Sequence, residues 1–258
     1  DGKTPGILAR GYGEPVADGL NDEGLVLRHL LGADVPQMQD PVRIRGLAAL
    51  RAAHPAVDVV LHDDGFQHRR LGWWAAIVLL DATRPFGHGH LLPRGLLRES
   101  PSALARADAV LVTRTERVDA AALQGIEQQV RRHLPAGRPI AFARAVPGPV
   151  GIAEELAGAK VFAFCGIGNP AAFSGTLRDL GAEVEGARAI GDHEALPADG
   201  WTSVLAEARA AGAECVATTR KDAVKYPDLP SDVVVVDQAL EIVRGEDELL
   251  EVVRRALS

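Results

Sequence analysis

Aromatic residues make up only 4% of the 258 positions, so Ala, Val and Leu must build any core. There are two cysteines, Cys165 and Cys215, both inside apolar runs. They read as buried, reduced thiols and point to a cytosolic compartment. No run of ~20 apolar residues occurs, so no segment reads as a membrane-spanning helix, and no signal peptide is visible. Basic residues are in deficit, 28 Lys and Arg against 35 Asp and Glu, for a net charge of −7 and a pI near 5.6. That balance argues against broad nucleic-acid binding, while leaving room for a local basic patch facing an anionic substrate. Methionine is nearly absent: Met38 stands alone and residue 1 is Asp. An open reading frame normally begins with Met, so the chain is expected to be a fragment, a processed form or an edited sequence.

Hydrophobic residues at 47% and charged residues at 24% suit a globular α/β protein of one large or two smaller domains. Continuous apolar runs at 57–61, 76–80, 109–113, 161–164, 215–218 and 233–236 read as strands covered on both faces. Helical patterns at 21–31, 41–53, 120–134, 170–180, 201–211 and 246–257 alternate with them. The alternation predicts a mostly parallel sheet with flanking helices. The Pro- and Gly-rich stretch 145–158 predicts a linker, dividing the chain into a core domain, 1–148, and a smaller C-terminal α/β domain, 149–258.

Six motifs carry possible chemistry. Gly2-Lys3-Thr4 is the tail of a phosphate-binding loop, in which Lys reaches phosphate oxygens and the Thr hydroxyl meets Mg²⁺. Here Gly6-Ile7-Leu8 follows it as a strand instead of a helix. Next, the strand 57–61 delivers His62, Asp63 and Asp64 to its carboxyl end, where ligands of open α/β sheets bind. One carboxylate there can accept a hydroxyl proton while the other holds Mg²⁺; an Asx-type turn is the plainer reading. Gln67, His68, Arg69 and Arg70 follow and tip the balance towards a polar site. The loop 84–99, RPFGHGHLLPRGLLRE, is too apolar for a solvated linker, and Arg84, Arg94 and Arg98 could grip phosphate. Phe164–Pro170 (FCGIGNP) reads as a tight turn more readily than as an anion site. Gly191-Asp192-His193-Glu194 and Thr218-Thr219-Arg220-Lys221-Asp222 stay open between polar site and solvated surface.

Read in order, these blocks resemble the lipid A 4′-kinase (tetraacyldisaccharide 4′-kinase) family: GKTP at 2–5, RGYG at 10–13, DDGFQH at 63–68, RPFGHGHLLPRGLLRE at 84–99, GIGNP at 166–170, DH at 192–193 and TTRKDAVK at 218–225. The blocks at 63–68 and 84–99 are the specific ones. The resemblance implies a P-loop NTPase-like core plus a smaller α/β domain. It implies transfer of the ATP γ-phosphate, with Mg²⁺, to the 4′-hydroxyl of an acylated glucosamine disaccharide 1-phosphate, at the cytoplasmic face of the bacterial inner membrane. By the same resemblance, Asp63 is the base with His193 its partner, and Gly2, Lys3 and Thr4 hold ATP. Asp64 and Thr4 serve the metal, and Gln67, His68 and Arg98 lie near the acceptor.

The chain departs from the family's pattern in three places. The family has further glycines before GKTP and a helix after it, whereas Pro5 here runs straight into Gly6. Arg220 stands where the family usually has an acidic residue, and Glu194 where it often has a second His. The first departure bears on ATP binding, so two alternatives stay open: an inactive fragment that binds the lipid phosphate, and a Mg²⁺-dependent phosphohydrolase using Asp63, Asp64 and His193.

Overall fold

The computed structural model describes residues 2–11, 16–148, 155–167, 169–191, 194–197, 199–226 and 228–258. In chain order its strands are β1 Pro5–Ala9, β2 Gln37–Gln39, β3 Val59–His62, β4 Ile77–Asp81, β5 Ala109–Thr113, β6 Ile140–Gly148, β7 Lys160–Cys165, β8 Glu183–Ala189, β9 Cys215–Thr219 and β10 Val233–Arg244. The α-helices are α1 Asp22–Leu31, α2 Arg43–Ala53, α3 Ala120–Arg131, α4 Pro170–Asp179, α5 Gly200–Ala210, α6 Arg220–Ala223 and α7 Glu246–Leu257. Chain contacts divide them into two compact units: Thr4–Asp63 with Pro147–Gln238, and Asp1–Lys3 with Asp64–Val146 and Ala239–Ser258.

The unit that holds β1 to β3 starts its helices where the sequence supplies caps. Asn21 accepts from the Gly24 N–H at 2.9 Å, and Asp22 and Glu23 fill the first turn of α1, where the helix dipole favours negative charge. β2, β1 and β3 lie in that order, all parallel. α2 lies close over β1 because Gly46 has no side chain; a Cβ there would come within 2.9 Å of the Leu8 side chain. Its Leu50 is fully buried.

The same unit carries a second parallel sheet in the order β10-β9-β7-β8. Side chains of β7 alternate between two cores. Val161, Ala163 and Cys165 meet Phe173 and Leu177 of α4. Phe162 and Phe164 meet Val204 and Ala208 of α5. In the other unit, β4-β5-β6 is again parallel. Val110 and Val112 of β5 pack under Ile126 and Val130 of α3, while Ala109 and Leu111 pack with Leu249 of α7. Coverage of both faces is what the continuous apolar runs required.

The structure adds three strands that the sequence reading did not anticipate, β2, the interior strand β6, and β8, which alternates exposed and half-buried positions, and β10 runs on to Arg244. The stretch expected as a linker from residue 145 begins inside β6, which continues to Gly148.

Candidate active site

β3 ends at His62 and presents Asp63 at the carboxyl end of its sheet. The Asp63 N–H donates to the Leu8 carbonyl at 2.9 Å, and its side chain is exposed. Arg43, buried at 4%, fixes this strand end: its Nε donates to His62 Nε2 at 3.0 Å, and its other nitrogen donates to the Asp40 carbonyl at 3.0 Å. Sequence reasoning missed Arg43, which gives no local signal.

Thr4 belongs to the same unit and lies at the other end of the same sheet. Its N–H donates to the Asp58 carboxylate at 2.7 Å, just before β1 begins at Pro5. Because β1 and β3 run parallel in register, Thr4 stands level with Asp58, five positions before Asp63. At ~3.3 Å per residue the two are separated by roughly 16 Å along the strands. The structure therefore does not bring Thr4 beside Asp63. Gly2, at φ +70, and Lys3 are exposed, and the chain passes from Thr4 into a strand. Residues 2–4 thus lack the helix N-terminus that makes such a loop an anion cradle.

In the other unit the chain turns at Asp64, whose φ of +47 is left-handed, a conformation Asp tolerates better than most residues. Both Asp64 oxygens accept from Arg98, at 2.8 and 2.9 Å, a planar bidentate pair. Hydrogen bonding to the Asp64 carboxylate raises Arg98 above the ordinary guanidinium range, against some desolvation. Asp64 is an exposed oxygen donor of the kind Mg²⁺ takes, so its chemistry fits a metal, though Arg98 occupies it here. The loop 84–99 that brings Arg98 to this point folds back on itself. Leu96 N–H donates to Gly87 O at 3.0 Å and Leu97 N–H to His90 O at 3.2 Å. Gly87 at φ +50 has no room for a Cβ, which would lie 2.9 Å from Leu96 Cβ.

Behind Arg98 the residues Phe66, Phe86, Leu97 and Leu104 wall a cavity of about 230 Å³, with Gln67 and Arg98 on its lining. Arg106 stacks over Phe66 at 4.6 Å and pairs with Glu99 at 2.7 Å, which braces the two motifs together. His68 follows in the turn, its N–H donating to Gly65 O at 2.8 Å. The second sequence block thus meets the third: Asp64, Gln67 and Arg98 come together, as the sequence order alone could not disclose.

Of the later motifs, Asp192 and His193 lie outside the described residues. The basic pair considered for phosphate is engaged elsewhere. Arg220 donates to Asp237 at 3.2 Å, and Lys221 lies 3.6 Å from Asp22. Among the described residues no group of three or more His, Cys, Asp or Glu could hold a metal by itself, and no helix is long and apolar enough to cross a membrane.

Comparison with known proteins bears on the family and the fold. The family described as "LpxK: Tetraacyldisaccharide-1-P 4'-kinase" matches residues 1–258. The tetraacyldisaccharide 4′-kinase of Anaeromyxobacter dehalogenans (strain 2CP-C) is 36% identical over 275 residues, covering 96% of this chain and 70% of that protein. The one from Anaeromyxobacter sp. (strain Fw109-5) is 37% identical over 282 residues, covering 100% and 75%. In structure, the chain resembles LpxK from Aquifex aeolicus, crystallised in complex with ATP, with a TM-score of 0.70, 24% identity, and coverage of 99% of this chain and 80% of that one. The fold and these relatives define a phosphotransferase of the α/β class, a kinase. Within that class, the chain belongs to the tetraacyldisaccharide 4′-kinase family.

Proposed function

We propose that this protein transfers the γ-phosphate of ATP to the 4′-hydroxyl of a tetraacylated glucosamine disaccharide 1-phosphate in lipid A biosynthesis. The names of its relatives support the substrate. One structural observation supports the acceptor side: Arg98, whose guanidinium could grip a phosphate, lies on the wall of an apolar cavity beside Gln67. That combination suits an amphiphile with an anionic head and hydrocarbon tails.

In this reading Asp63 takes the proton of the sugar hydroxyl as the new O–P bond forms and the bond from the γ-phosphorus to the bridging oxygen breaks, releasing ADP, with His193 as the partner of Asp63. Arg98, Gln67 and His68 orient the acceptor head. Asp64 would hold the Mg²⁺ that accompanies the nucleotide, its ion pair with Arg98 giving way as Arg98 meets the acceptor phosphate. The metal, when bound, neutralises charge on the transferred group. Gly2, Lys3 and Thr4 are the proposed nucleotide residues. We further propose a division at 148/149 into a kinase core and a smaller domain, work at the cytoplasmic face of the bacterial inner membrane, where such an acceptor resides, and no nucleic-acid partner.

One observation favours a second reading, acceptor binding without turnover: Thr4 lies at the strand end opposite Asp63. The test is Mg²⁺- and ATP-dependent phosphorylation of the tetraacyldisaccharide 1-phosphate by this chain. It is run beside a version with a helix inserted after GKTP. Product from this chain bears out the transfer; acceptor binding by this chain without product, with product only from the second, favours the binding reading. If neither makes product, the kinase reading fails; phosphate release from the acceptor without ATP would instead favour a phosphohydrolase.

A further inference from the structure

The TTRKDAVK block at 218–225 is absorbed by none of these roles, yet it contains the most deeply buried ion pair among the described residues. Asp222 and Lys225 meet at 2.9 Å with both side chains 1% exposed. Asp222 Oδ2 also accepts the Gly166 N–H at 2.8 Å and the Thr219 hydroxyl at 2.7 Å. Lys225 Nζ donates onward to the Glu194 carbonyl at 2.7 Å. The pair therefore grips the backbone of two loops, the one after β7 and the one after β8. Gly166 fits this grip because it has no side chain; a Cβ would lie 2.8 Å from Asp222 Oδ1 and 3.0 Å from Ile190 Cγ1.

The second loop is tied on both sides of residues 192–193. Before them, the Ile190 N–H donates to Cys165 O at 3.0 Å, and the Gly191 N–H donates to the Glu194 carboxylate at 2.7 Å. After them, the Glu194 N–H donates to Gly191 O at 3.0 Å, and the Leu196 N–H donates to the Tyr226 hydroxyl at 2.6 Å. Stability alone gives no reason for such a pair, since apolar residues of the same volume commonly do as well or better. An apolar pair cannot accept from the Gly166 amide and donate to the Glu194 carbonyl.

We infer that Asp222 and Lys225 are positioning residues for phosphoryl transfer, a buried clamp that holds Gly191 and residues 194–196 against the loop after β7. The inference rests on the proposed role of His193 in that loop. Glu194, which departs from the family's frequent histidine, belongs to the clamp through its carbonyl and its carboxylate.

The test has two arms. Amide exchange is measured on this chain for the parent, D222A and the double variant D222N/K225M, which leaves no unpaired buried charge. The clamp predicts exchange at least about 10-fold faster at Gly166, Ile190, Gly191, Glu194 and Leu196, with β5 and α3 unchanged. Unchanged exchange at those amides, or an equal rise everywhere, overturns it. Kinetics are measured on whichever form turns over in the assay above. The double variant should lose about 100-fold in kcat, as a misplaced catalytic loop does, with KM for ATP and acceptor moving less than about 3-fold and the unfolding midpoint held. K225R should recover part of that loss. A kcat within about 2-fold of the parent, or a loss confined to KM, overturns the positioning role. If no form turns over, the exchange arm still decides the clamp, and only the kinase reading falls.

Discussion

The Asp64–Arg98 pair joins the two most distinctive sequence blocks, and its strength can be worked out beforehand. Its side chains are 49% and 58% exposed, so most of its field passes through water. Two unit charges about 4 Å apart in water attract by about 1 kcal/mol, and ordering two long side chains removes part of that. A double-mutant cycle with D64N, R98Q and the double variant, followed by urea unfolding, should give a coupling of about 0.5–1 kcal/mol at low salt. At 1 M salt, where the screening length falls to about 3 Å, the coupling should nearly vanish. Each single variant should stay folded yet lose most of its turnover. A coupling above about 2 kcal/mol, or one insensitive to salt, would refute the reasoning: it would mean the pair is a desolvated structural strut, and that Asp64 cannot be freed at low cost for a metal.

Further expectations concern the scaffold. Leu177→Ala empties a fully buried site under β7 and should cost about 3–5 kcal/mol in urea unfolding, whereas Leu92→Ala, at a residue 58% exposed, should change stability by less than about 0.5 kcal/mol. Burial, aided by the charge of Asp222, pushes the Cys165 thiol up to about 11. It should therefore resist iodoacetamide at pH 8 in the folded protein and react once the chain is denatured. Burial raises Asp81, but hydrogen bonds from Thr83 and the charge of Arg114 outweigh it and hold the carboxyl below its ordinary 3.8. A depressed carboxyl stabilises the fold above its unfolded value and loses that contribution as pH falls through the folded one. The stability deficit of D81N should thus be full at pH 7 and shrink below about pH 4; a deficit that grew on acidification would contradict the assignment.

Much of this protein could be read from its residues. Runs such as 109–112 and 161–164 are apolar at every position because both faces of a parallel strand are covered, and that pattern is local. α7 was legible to the residue, Glu246 to Leu257, because its charges and apolar positions alternate at helical spacing. The blocks at 63–68 and 84–99 marked the candidate site before any fold was known. β8 was not legible: an edge strand with every second residue exposed and a glycine inside it resembles a loop. Nor could the sequence say that Asp64 meets Arg98 across 34 positions, that Arg43 holds His62, or that Asp222 reaches back 56 positions to the Gly166 amide. Those contacts depend on which loops the strand order brings to the same sheet end. Most telling is Thr4: a phosphate-loop signature by composition, it lies at the amino end of β1 because Pro5 starts a strand. The residue types fixed what chemistry was available, and the direction of one strand decided which groups could share it.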